Sequence, residues 1–270
     1  MCELEGRRII TLLTDFGTED MYVPVMKGVI LTLNPNVEII DLSHDVPKFN
    51  VQHAAFLLAQ AVSYFPEGTV HVAVVDPSVG TTRRPIIVKT KRSLLVGPDN
   101  GILYLAVRKE GFESAVTIEN ESYMLPGRSK TFDGRDVFSP ASAYLTMGKA
   151  LESFGLNIKE IEKPPFTQPI VSGKNLVCEV LYIDGFGNVV TNAEGNLIQK
   201  IGLKEKSSIK MKTRRKTLRL KFHLTYGDAD RGSFLALVGS HGFFEVAVNQ
   251  GNAADKLKVK VGERISFSLK

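Results

Sequence analysis

Short apolar runs that alternate with helical segments dominate the first half of the sequence and constrain its fold more than any other feature. The runs at 9–13, 37–42 and 69–75 have the composition of buried strands, and 22–33 and 53–64 have helical periodicity. A proline follows each helical segment within two residues and marks its end. This order predicts an N-terminal α/β domain with a mainly parallel sheet and right-handed crossovers. Further on, 86–90 and 93–96 are predicted as paired strands, and 102–108 and 139–147 as helices.

A change of character near three closely spaced prolines (Pro164, Pro165 and Pro169) predicts a domain boundary. We expect an N-terminal domain at 1–163, an extended linker at 164–172 and a C-terminal domain at 173–270. Short alternating strands are predicted after the linker, at 176–183, 188–191, 208–211, 217–222, 234–238, 243–248 and 264–269. Because helical signals are weak there, the second domain is predicted to be a small antiparallel barrel or sandwich.

The composition limits the classes of protein to which the chain can belong. The 270 residues are 43% hydrophobic and 23% charged, which is ordinary for a globular chain long enough for two domains. No apolar run is long enough to span a bilayer, and the N-terminus lacks the apolar stretch of a secretory signal. Cys2 and Cys178 form neither a metal-binding spacing nor a disulfide framework. We therefore expect a cytoplasmic protein with no membrane association and no bound metal.

Basic residues are concentrated in one stretch of the second domain. The net charge is +5, and nine lysines and arginines fall between Lys204 and Lys221. Several alternate with apolar residues, which is typical of a strand pair with one solvated face. A nucleic-acid surface would interleave aromatic side chains for base stacking, and only Phe222 and Tyr226 are near. We therefore predict a solvated hairpin and no nucleic-acid partner.

Carboxylates follow several of the predicted strands. Asp15 follows the first strand, and Asp76 follows the third with Arg83 seven residues later. Asp99 and Asn100 follow another apolar run. Each has an ordinary structural explanation, as a cap, an ion pair or a turn. Because ligands bind at the carboxyl ends of the strands in open α/β sheets, the three together favour a ligand site, with Asp15 suited to a vicinal diol.

Two further segments carry candidate residues. In the first, Asp133 and Asp136 precede a predicted helix, and Asp136 is placed to cap it. In the second domain, Phe186 stands between two glycines, close to Asp184 and Asn188. An aromatic ring held in this way can lie flat against a planar ligand. No dinucleotide-binding glycine pattern, phosphate-binding loop or zinc spacing occurs, which argues against hydride transfer and nucleoside triphosphate hydrolysis.

Taken together, these segments resemble the S-adenosyl-L-methionine hydroxide adenosyltransferase family, which is related to fluorinating and chlorinating enzymes that use the same substrate. The matching stretches are 13–17, 75–77 with Gly80 and Arg83, 97–101, 131–132, 134–136, 183–184, 186–188, 191–192, Asn249 and 251–254. The resemblance covers nearly the whole chain. It implies an α/β domain followed by a smaller antiparallel β-barrel, no cofactor, and a homotrimer whose active sites lie between subunits.

The resemblance also implies roles for individual residues. Asp15 is expected to hold the ribose hydroxyls. The other expected substrate-binding residues are Asn100, Asp184, Phe186, Asn188, Ser240, Glu245 and Val248. Of these, Asp184, Phe186 and Asn188 are expected to contact the methionine portion or the adenine face.

The catalytic residues implied by the resemblance are Asp76, Arg83 and Asp133. In the hydrolase branch an Asp-Arg-His set positions the attacking water, and this chain has Asp133 in place of the histidine. The halogenating branch has an aromatic residue where Asp76 stands, and a carboxylate there would repel a halide. The expected reaction is therefore hydrolysis of S-adenosyl-L-methionine to adenosine and methionine at the ribose 5′-carbon, with the non-physiological sulfur diastereomer as a candidate substrate.

Two other classes of function stay open at the level of the sequence. One is a different nucleoside-processing enzyme, such as a phosphorylase. The other is a non-catalytic protein that binds adenosine, or that binds nucleic acid through the basic hairpin around Arg214 and Arg215.

Overall fold

The computed structural model describes residues 8–164 and 167–269. Its packing divides the chain into two compact units, Met1–Pro164 and Pro165–Lys270. Cys2 and part of the predicted linker lie outside the described residues. No helix within the described ranges is both long and apolar enough to cross a bilayer.

The first unit is built on one mixed sheet. Its strands are β1 (Arg8–Thr14), β2 (Val37–Ser43), β3 (Val70–Val74), β4 (Pro85–Thr90), β5 (Leu94–Pro98), β6 (Phe112–Thr117) and β7 (Asn157–Ile158). They lie in the order β2-β1-β3-β5-β4-β6-β7. The first four in this order are mutually parallel, and the pairs from β5 to β7 are antiparallel. The carboxyl ends of β1, β3 and β5 therefore lie side by side.

Helices cover both faces of this sheet. They are α1 (Tyr22–Leu33), α2 (Val51–Ala61), α3 (Tyr104–Glu110) and α4 (Ser139–Thr146), and a π-helical turn (Gly134–Phe138) leads into α4. One core joins α1 and α4 to the face of the sheet that carries Leu12, and the other joins α2 and α3 to the face that carries Leu13. Because both faces are covered, consecutive residues of β1 and β3 are buried, which explains their unbroken apolar runs.

The second unit is a β-barrel. Its strands are β8 (Ile170–Ser172), β9 (Asn175–Ile183), β10 (Val189–Glu194), β11 (Ser208–Lys212), β12 (Thr217–Phe222), β13 (Phe234–Val238), β14 (Phe243–Val248) and β15 (Arg264–Leu269). The ring runs β10-β14-β13-β12-β11-β15-β9 and closes by pairing β9 with β10, while β8 extends β9. All of these pairs are antiparallel except β12 with β13. Alternate residues point inward and form a separate core.

The predicted fold class, an α/β domain followed by a smaller barrel, is confirmed. The basic hairpin is also confirmed, because β11 pairs with β12 and the side chains of Lys210, Lys212 and Arg219 are exposed while Ile209 and Met211 are buried. Among the β-strands and α-helices of the described residues, those that were not predicted are β6, β7, β8 and the helices α5 (Gly195–Lys200) and α6 (Ala253–Leu257).

Candidate active site

A cavity of about 350 Å³ opens in the first unit where β1 and β3 end. We call it the strand-end cavity. Asp15, Asp76 and Asp133 all line it. The parallel pairing of β1 with β3 places Asp15 and Asp76 at neighbouring strand ends, as the sequence predicted. Asp133 comes from a different segment of the chain, directly before the π-helical turn.

Asp15 is buried, and the segment that precedes α2 holds its carboxylate. The backbone N–H of Phe49 donates to Asp15 Oδ2 at 2.8 Å, and Lys48 Nζ donates to the Asp15 backbone carbonyl. Asp15 Oδ1 has no hydrogen-bond partner within the described ranges, so it remains available to accept from a ligand hydroxyl. Phe49 has a positive φ of 65°, an unusual conformation for a non-glycine residue that aims its N–H at the carboxylate.

Asp76 and Arg83 form the ion pair that their spacing predicted. Arg83 Nε donates to Asp76 Oδ2 at 2.8 Å, and the hydroxyl of Ser78 donates to Asp76 Oδ1 at 3.2 Å. The guanidinium also lies over the ring of the buried Phe138, 5.6 Å from its centroid. Packing on the ring fixes the plane of the guanidinium, and so the direction in which Asp76 is held.

Arg83 contacts a second carboxylate as well. Its Nη2 donates to Asp133 Oδ2, although the two residues are 50 positions apart in the sequence. Asp76, Arg83 and Asp133, which we call the Asp–Arg–Asp cluster, are each nearly buried. Asp133, where a histidine was expected from the resemblance, is thus brought into contact with the same arginine as Asp76.

A close backbone approach brings the two loops of this cluster together. Gly80 has φ 79°, and a Cβ at this position would lie 2.6 Å from the backbone oxygen of Lys130. Only glycine fits such a contact without a shift of the backbone. The glycine therefore allows the loop that carries Asp76 and Arg83 to pack directly on the segment that leads to Asp133.

Asp136 does not cap a helix, contrary to the sequence interpretation. It lies inside the π-helical turn, where its carboxylate accepts hydrogen bonds from Arg135 and from the backbone N–H of Ser129, the latter at 2.8 Å. Its backbone oxygen accepts from the N–H of Leu125. Because π-helical turns widen the helix locally, they often occur at functional sites. Here the turn fixes the loop at 125–131 beside the cavity.

Asn100 is placed differently from the other predicted binding residues of the first unit. Its side-chain amide donates to the Val75 backbone oxygen at 2.9 Å, and its side-chain oxygen accepts from the N–H of Ile102. It is not among the residues that line the strand-end cavity. Its contact with Val75 instead braces the end of the strand that carries Asp76, and its predicted contact with substrate stays a prediction.

Aromatic side chains form an apolar wall of the strand-end cavity. Phe16, Tyr22 and Phe132 pack edge-to-face or tilted, with centroid distances of 5.1–5.8 Å. All three line the cavity, and Phe49 lies at its edge with its side chain exposed. Apolar side chains that share a cavity with fixed carboxylates strengthen electrostatic interactions by excluding water.

The barrel has a cavity of its own, of about 720 Å³, which we call the barrel cavity. Asp184, Phe186, Asn188, Ser240 and Val248 line it, so the structure brings these predicted residues together.

Asp184 shapes the loop that borders the barrel cavity. Asp184 Oδ1 accepts from the N–H groups of Phe186 and Asn188, both at 2.9 Å, and its Oδ2 accepts from the Asn188 side chain. This turn holds Phe186 outward, with 81% of its surface exposed. A large exposed ring on a fixed loop is suited to stacking on a planar ligand.

Glu245 lies behind the barrel cavity rather than on its surface. It is buried, and it accepts a hydrogen bond from the Tyr226 hydroxyl at 2.7 Å and contacts His241 Nε2 at 2.7 Å. Burial raises the pKa of Tyr226, and the hydrogen bond to Glu245 and the negative charges of Glu245 and Asp184 add to the effect. The phenol therefore stays protonated and donates at neutral pH. Glu245 acts on the barrel cavity through Tyr226, which lines it.

Sequence reasoning did not assign several side chains at or near these sites. Lys48 and Phe49 line the strand-end cavity and Tyr226 lines the barrel cavity, while Arg128 lies outside both and pairs with Asp133. Phe49 is signalled only by its unusual backbone conformation, which sequence patterns do not encode. Arg128 contacts Asp133 through Nε at 3.1 Å and Nη2 at 2.9 Å. Among the described residues, no group of three or more His, Cys, Asp or Glu side chains has an arrangement suited to a metal ion.

Comparison with known proteins identifies closely similar chains. Residues 10–155 match the family model for the SAM hydroxide adenosyltransferase N-terminal domain, and residues 178–266 match the model for the C-terminal domain of the same family. The (R)-S-adenosyl-L-methionine hydrolase of Salinispora tropica is 39% identical, over 95% of this chain and 96% of the relative.

Two further relatives extend this comparison. A fluorinase of an Actinoplanes species is 26% identical, over 97% of this chain and 98% of its own. The crystal structure of an uncharacterized conserved protein from Thermotoga maritima superposes with a TM-score of 0.91 at 38% identity, covering 96% of this chain and 99% of that one.

Proposed function

Because the chain belongs to the S-adenosyl-L-methionine hydroxide adenosyltransferase family, we propose that it hydrolyses S-adenosyl-L-methionine to adenosine and L-methionine. The observation that carries the proposal is the Asp–Arg–Asp cluster, whose two carboxylates line the same cavity as Asp15. A carboxylate with a free oxygen suits the ribose diol, and a second carboxylate held by an arginine suits a nucleophilic water.

The reaction is a displacement at the ribose 5′-carbon. The water oxygen forms a bond to that carbon while the bond from carbon to sulfur breaks, and its electron pair leaves on sulfur. The sulfonium cation becomes the neutral thioether of methionine, so the leaving group needs no general acid. The proton released by water passes to the Asp76 carboxylate. Since the sulfonium is already an activated leaving group, we propose that no cofactor is required.

Alignment and base catalysis together supply most of the acceleration in this scheme. Holding water in line with the bond from carbon to sulfur is worth about 7–11 kcal/mol when the geometry is good. A positioned base contributes about 10²–10⁴-fold. Two contacts of Arg83 fix the direction of Asp76, and Asn100 braces the strand end that precedes it.

The charge of Asp76 favours water over a halide as the nucleophile. The fluorinase relative shows that the fold is shared by proteins named for a different reaction. A halide bound beside Asp76 would meet the negative charge of a buried carboxylate, whereas a water can donate a hydrogen bond to it. This supports assignment of the chain to the hydrolytic branch.

The (R) sulfur diastereomer is the proposed substrate. The relative from Salinispora tropica carries that diastereomer in its name. We further propose a cytoplasmic location, since S-adenosyl-L-methionine is made and used there. Fractionation of cells, with detection by an antibody to the protein, tests this location.

We also propose a homotrimer in which the strand-end cavity of one copy and the barrel cavity of a neighbour form one active site. Exposed apolar side chains border both cavities: Tyr22, Phe49 and Val79 in the first unit, and Phe186 and Tyr226 in the second. Apolar side chains concentrated at a ligand cavity favour coverage by a partner. Light scattering combined with size-exclusion chromatography tests this, and a monomer that retains full activity would exclude it.

The proposed reaction is tested by incubating the protein with each diastereomer of S-adenosyl-L-methionine and separating the products by chromatography. We expect equal amounts of adenosine and methionine, formed faster from the (R) form. The yield should not depend on phosphate, and it should persist after dialysis against a chelator. A strict phosphate requirement would indicate a phosphorylase instead, and the absence of adenosine from both diastereomers would overturn the proposal.

A further inference from the structure

Asp133 is bridged between two arginines. Its Oδ2 accepts from Arg83, and its Oδ1 accepts from Arg128 Nε at 3.1 Å and Nη2 at 2.9 Å. The Asp133 side chain is only 3% exposed, whereas the Arg128 side chain is 42% exposed. Both oxygens of this carboxylate are therefore occupied by guanidinium groups, one inside the cluster and one that reaches in from the surface.

Without Arg128, the Asp–Arg–Asp cluster would carry an excess negative charge. Asp76 and Asp133 are two buried carboxylates that share one guanidinium, that of Arg83. Arg128 supplies the second positive charge and brings the set to neutrality. Two carboxylates that face one cation resist being ionised together, and one of them then tends to hold a proton.

Other charged groups near the cluster do not replace Arg128. Glu119 and Glu121 line a cavity together with Arg83 and Arg128, but among the described residues neither glutamate forms an ion pair with these arginines. Asp15, Asp20 and Lys48 line the strand-end cavity, and Lys48 Nζ donates to the backbone oxygen of Asp15. Lys130 lies in the loop that leads to Asp133. Arg135, in the turn that follows, pairs with Asp136. The described structure gives Asp133 ion pairs with Arg83 and Arg128 only.

Arg128 is held in place from outside the strand-end cavity. Its loop is anchored where the N–H of Ser129 donates to Asp136 Oδ2 at 2.8 Å. Arg128 does not line the strand-end cavity, but together with Arg83 it lines a third cavity, of about 750 Å³. It therefore acts on the cluster through Asp133 and does not face the cavity that holds Asp15 and Asp76.

We propose that Arg128 is a positioning residue of the hydrolytic site. It balances the charge of Asp133, so that Asp133 stays ionised and keeps Arg83 directed at Asp76. Asp76 is then the carboxylate that takes the proton from water. This assignment rests on the proposed function, and it gives Arg128 a role that follows from the two buried carboxylates sharing Arg83.

The test is the pH dependence of kcat/KM in Arg128→Gln. Loss of the second cation makes one of the two carboxylates easier to protonate, so the acid limb of the profile should move up by about one to three pH units. Activity should recover towards the level of the unmodified protein at high pH. Arg128→Lys keeps the charge and should restore most of the original profile. In Arg128→Gln/Asp133→Asn the limb should move back, because the unbalanced negative charge is gone.

Arg84 offers a matched control. It is 44% exposed and pairs with Asp99, which is 4% exposed, at another strand end of the same sheet. Neither residue lines the strand-end cavity. Arg84→Gln should leave the acid limb where it is. The proposal is overturned if Arg128→Gln lowers kcat/KM by the same factor at every pH, or if Arg84→Gln moves the limb as far.

Failure of the proposed function would be distinguished from failure of this inference by a readout without turnover. Carboxyl groups labelled with carbon-13 on aspartate can be titrated by NMR in the protein alone. A carboxyl resonance of the cluster should titrate at higher pH in Arg128→Gln than in the unmodified protein, and the Arg84→Gln spectrum should show no such change in the cluster. Unchanged titration in Arg128→Gln would overturn the charge-balancing role whether or not adenosine is formed.

Discussion

Replacing the carboxylate of Asp76 by an amide separates its chemical role from its structural one. Asn has nearly the same shape, and its side-chain oxygen can still accept from Arg83, which now donates to Asp76 Oδ2 at 2.8 Å. The amide cannot take a proton from water. Asp76→Asn should therefore keep the fold and the strand-end cavity but lose the base.

The expected magnitudes follow from these contacts. Loss of a positioned base lowers kcat by about 10²–10⁴-fold, which corresponds to about 3–5 kcal/mol of transition-state stabilisation. The cost in the free energy of unfolding is smaller, about 1–3 kcal/mol, because one charge-assisted hydrogen bond is weakened while its partner keeps an acceptor. Adenosine affinity should change less than about threefold, since Asp15 and the aromatic wall are untouched.

The assay combines product formation, calorimetric binding of adenosine and urea unfolding. Asp99→Asn is the matched control: Asp99 is equally buried, pairs with Arg84 through Nε at 2.8 Å, and lies outside the strand-end cavity. Its kcat should stay within about threefold of that of the unmodified protein. Turnover in Asp76→Asn within about tenfold of normal would refute the base assignment. An equal loss in Asp99→Asn would show that the effect is structural.

Three further substitutions test other parts of the structure. Gly80→Ala should cost about 1–3 kcal/mol in unfolding free energy and lower kcat, because the new Cβ would lie 2.6 Å from the Lys130 oxygen at a φ of 79°; unaltered stability in urea would contradict the close approach. Burial lowers the pKa of His71 to about 4 from 6.5. The neutral imidazole therefore contributes fully to the free energy of unfolding above pH 6.5, and this contribution of up to about 3 kcal/mol is lost as the pH falls towards 4. In urea unfolding, His71→Gln should lose less unfolding free energy on acidification than the unmodified protein does. Phe186→Ala should raise KM by about 2–12-fold with unfolding free energy changed by less than about 0.5 kcal/mol, since the ring is 81% exposed; an unchanged KM would remove this ring from the substrate site.

The sequence predicts much of the fold because local and global signals agree. The runs that became β1 and β3 are apolar on both faces, as a covered parallel sheet requires. The prolines that follow α1 and the segment around α2 mark real helix ends. The β6 strand was missed because two consecutive polar residues, Glu113 and Ser114, interrupt its apolar pattern. The α5 and α6 helices are too short for helical periodicity to stand out.

The site is less accessible to sequence reasoning because its contacts are long-range. Asp76 and Arg83 are seven residues apart, so their pairing could be predicted from spacing. The contact of Arg83 with Asp133 joins residues 50 positions apart, and the approach of Arg128 depends on how Asp136 anchors its loop. Asn100 shows that a polar residue at a strand end need not line the cavity. Its side chain instead donates a hydrogen bond to the backbone of the neighbouring strand end.

The most direct measurement of the central claim is the position of isotope after hydrolysis in water enriched in oxygen-18. A water oxygen that attacks the ribose 5′-carbon becomes the 5′-hydroxyl of adenosine. Mass spectrometry should therefore find one heavy oxygen per adenosine, located on the ribose fragment, and none in methionine. Unlabelled adenosine, or label in the amino-acid product, would contradict attack of water at this carbon.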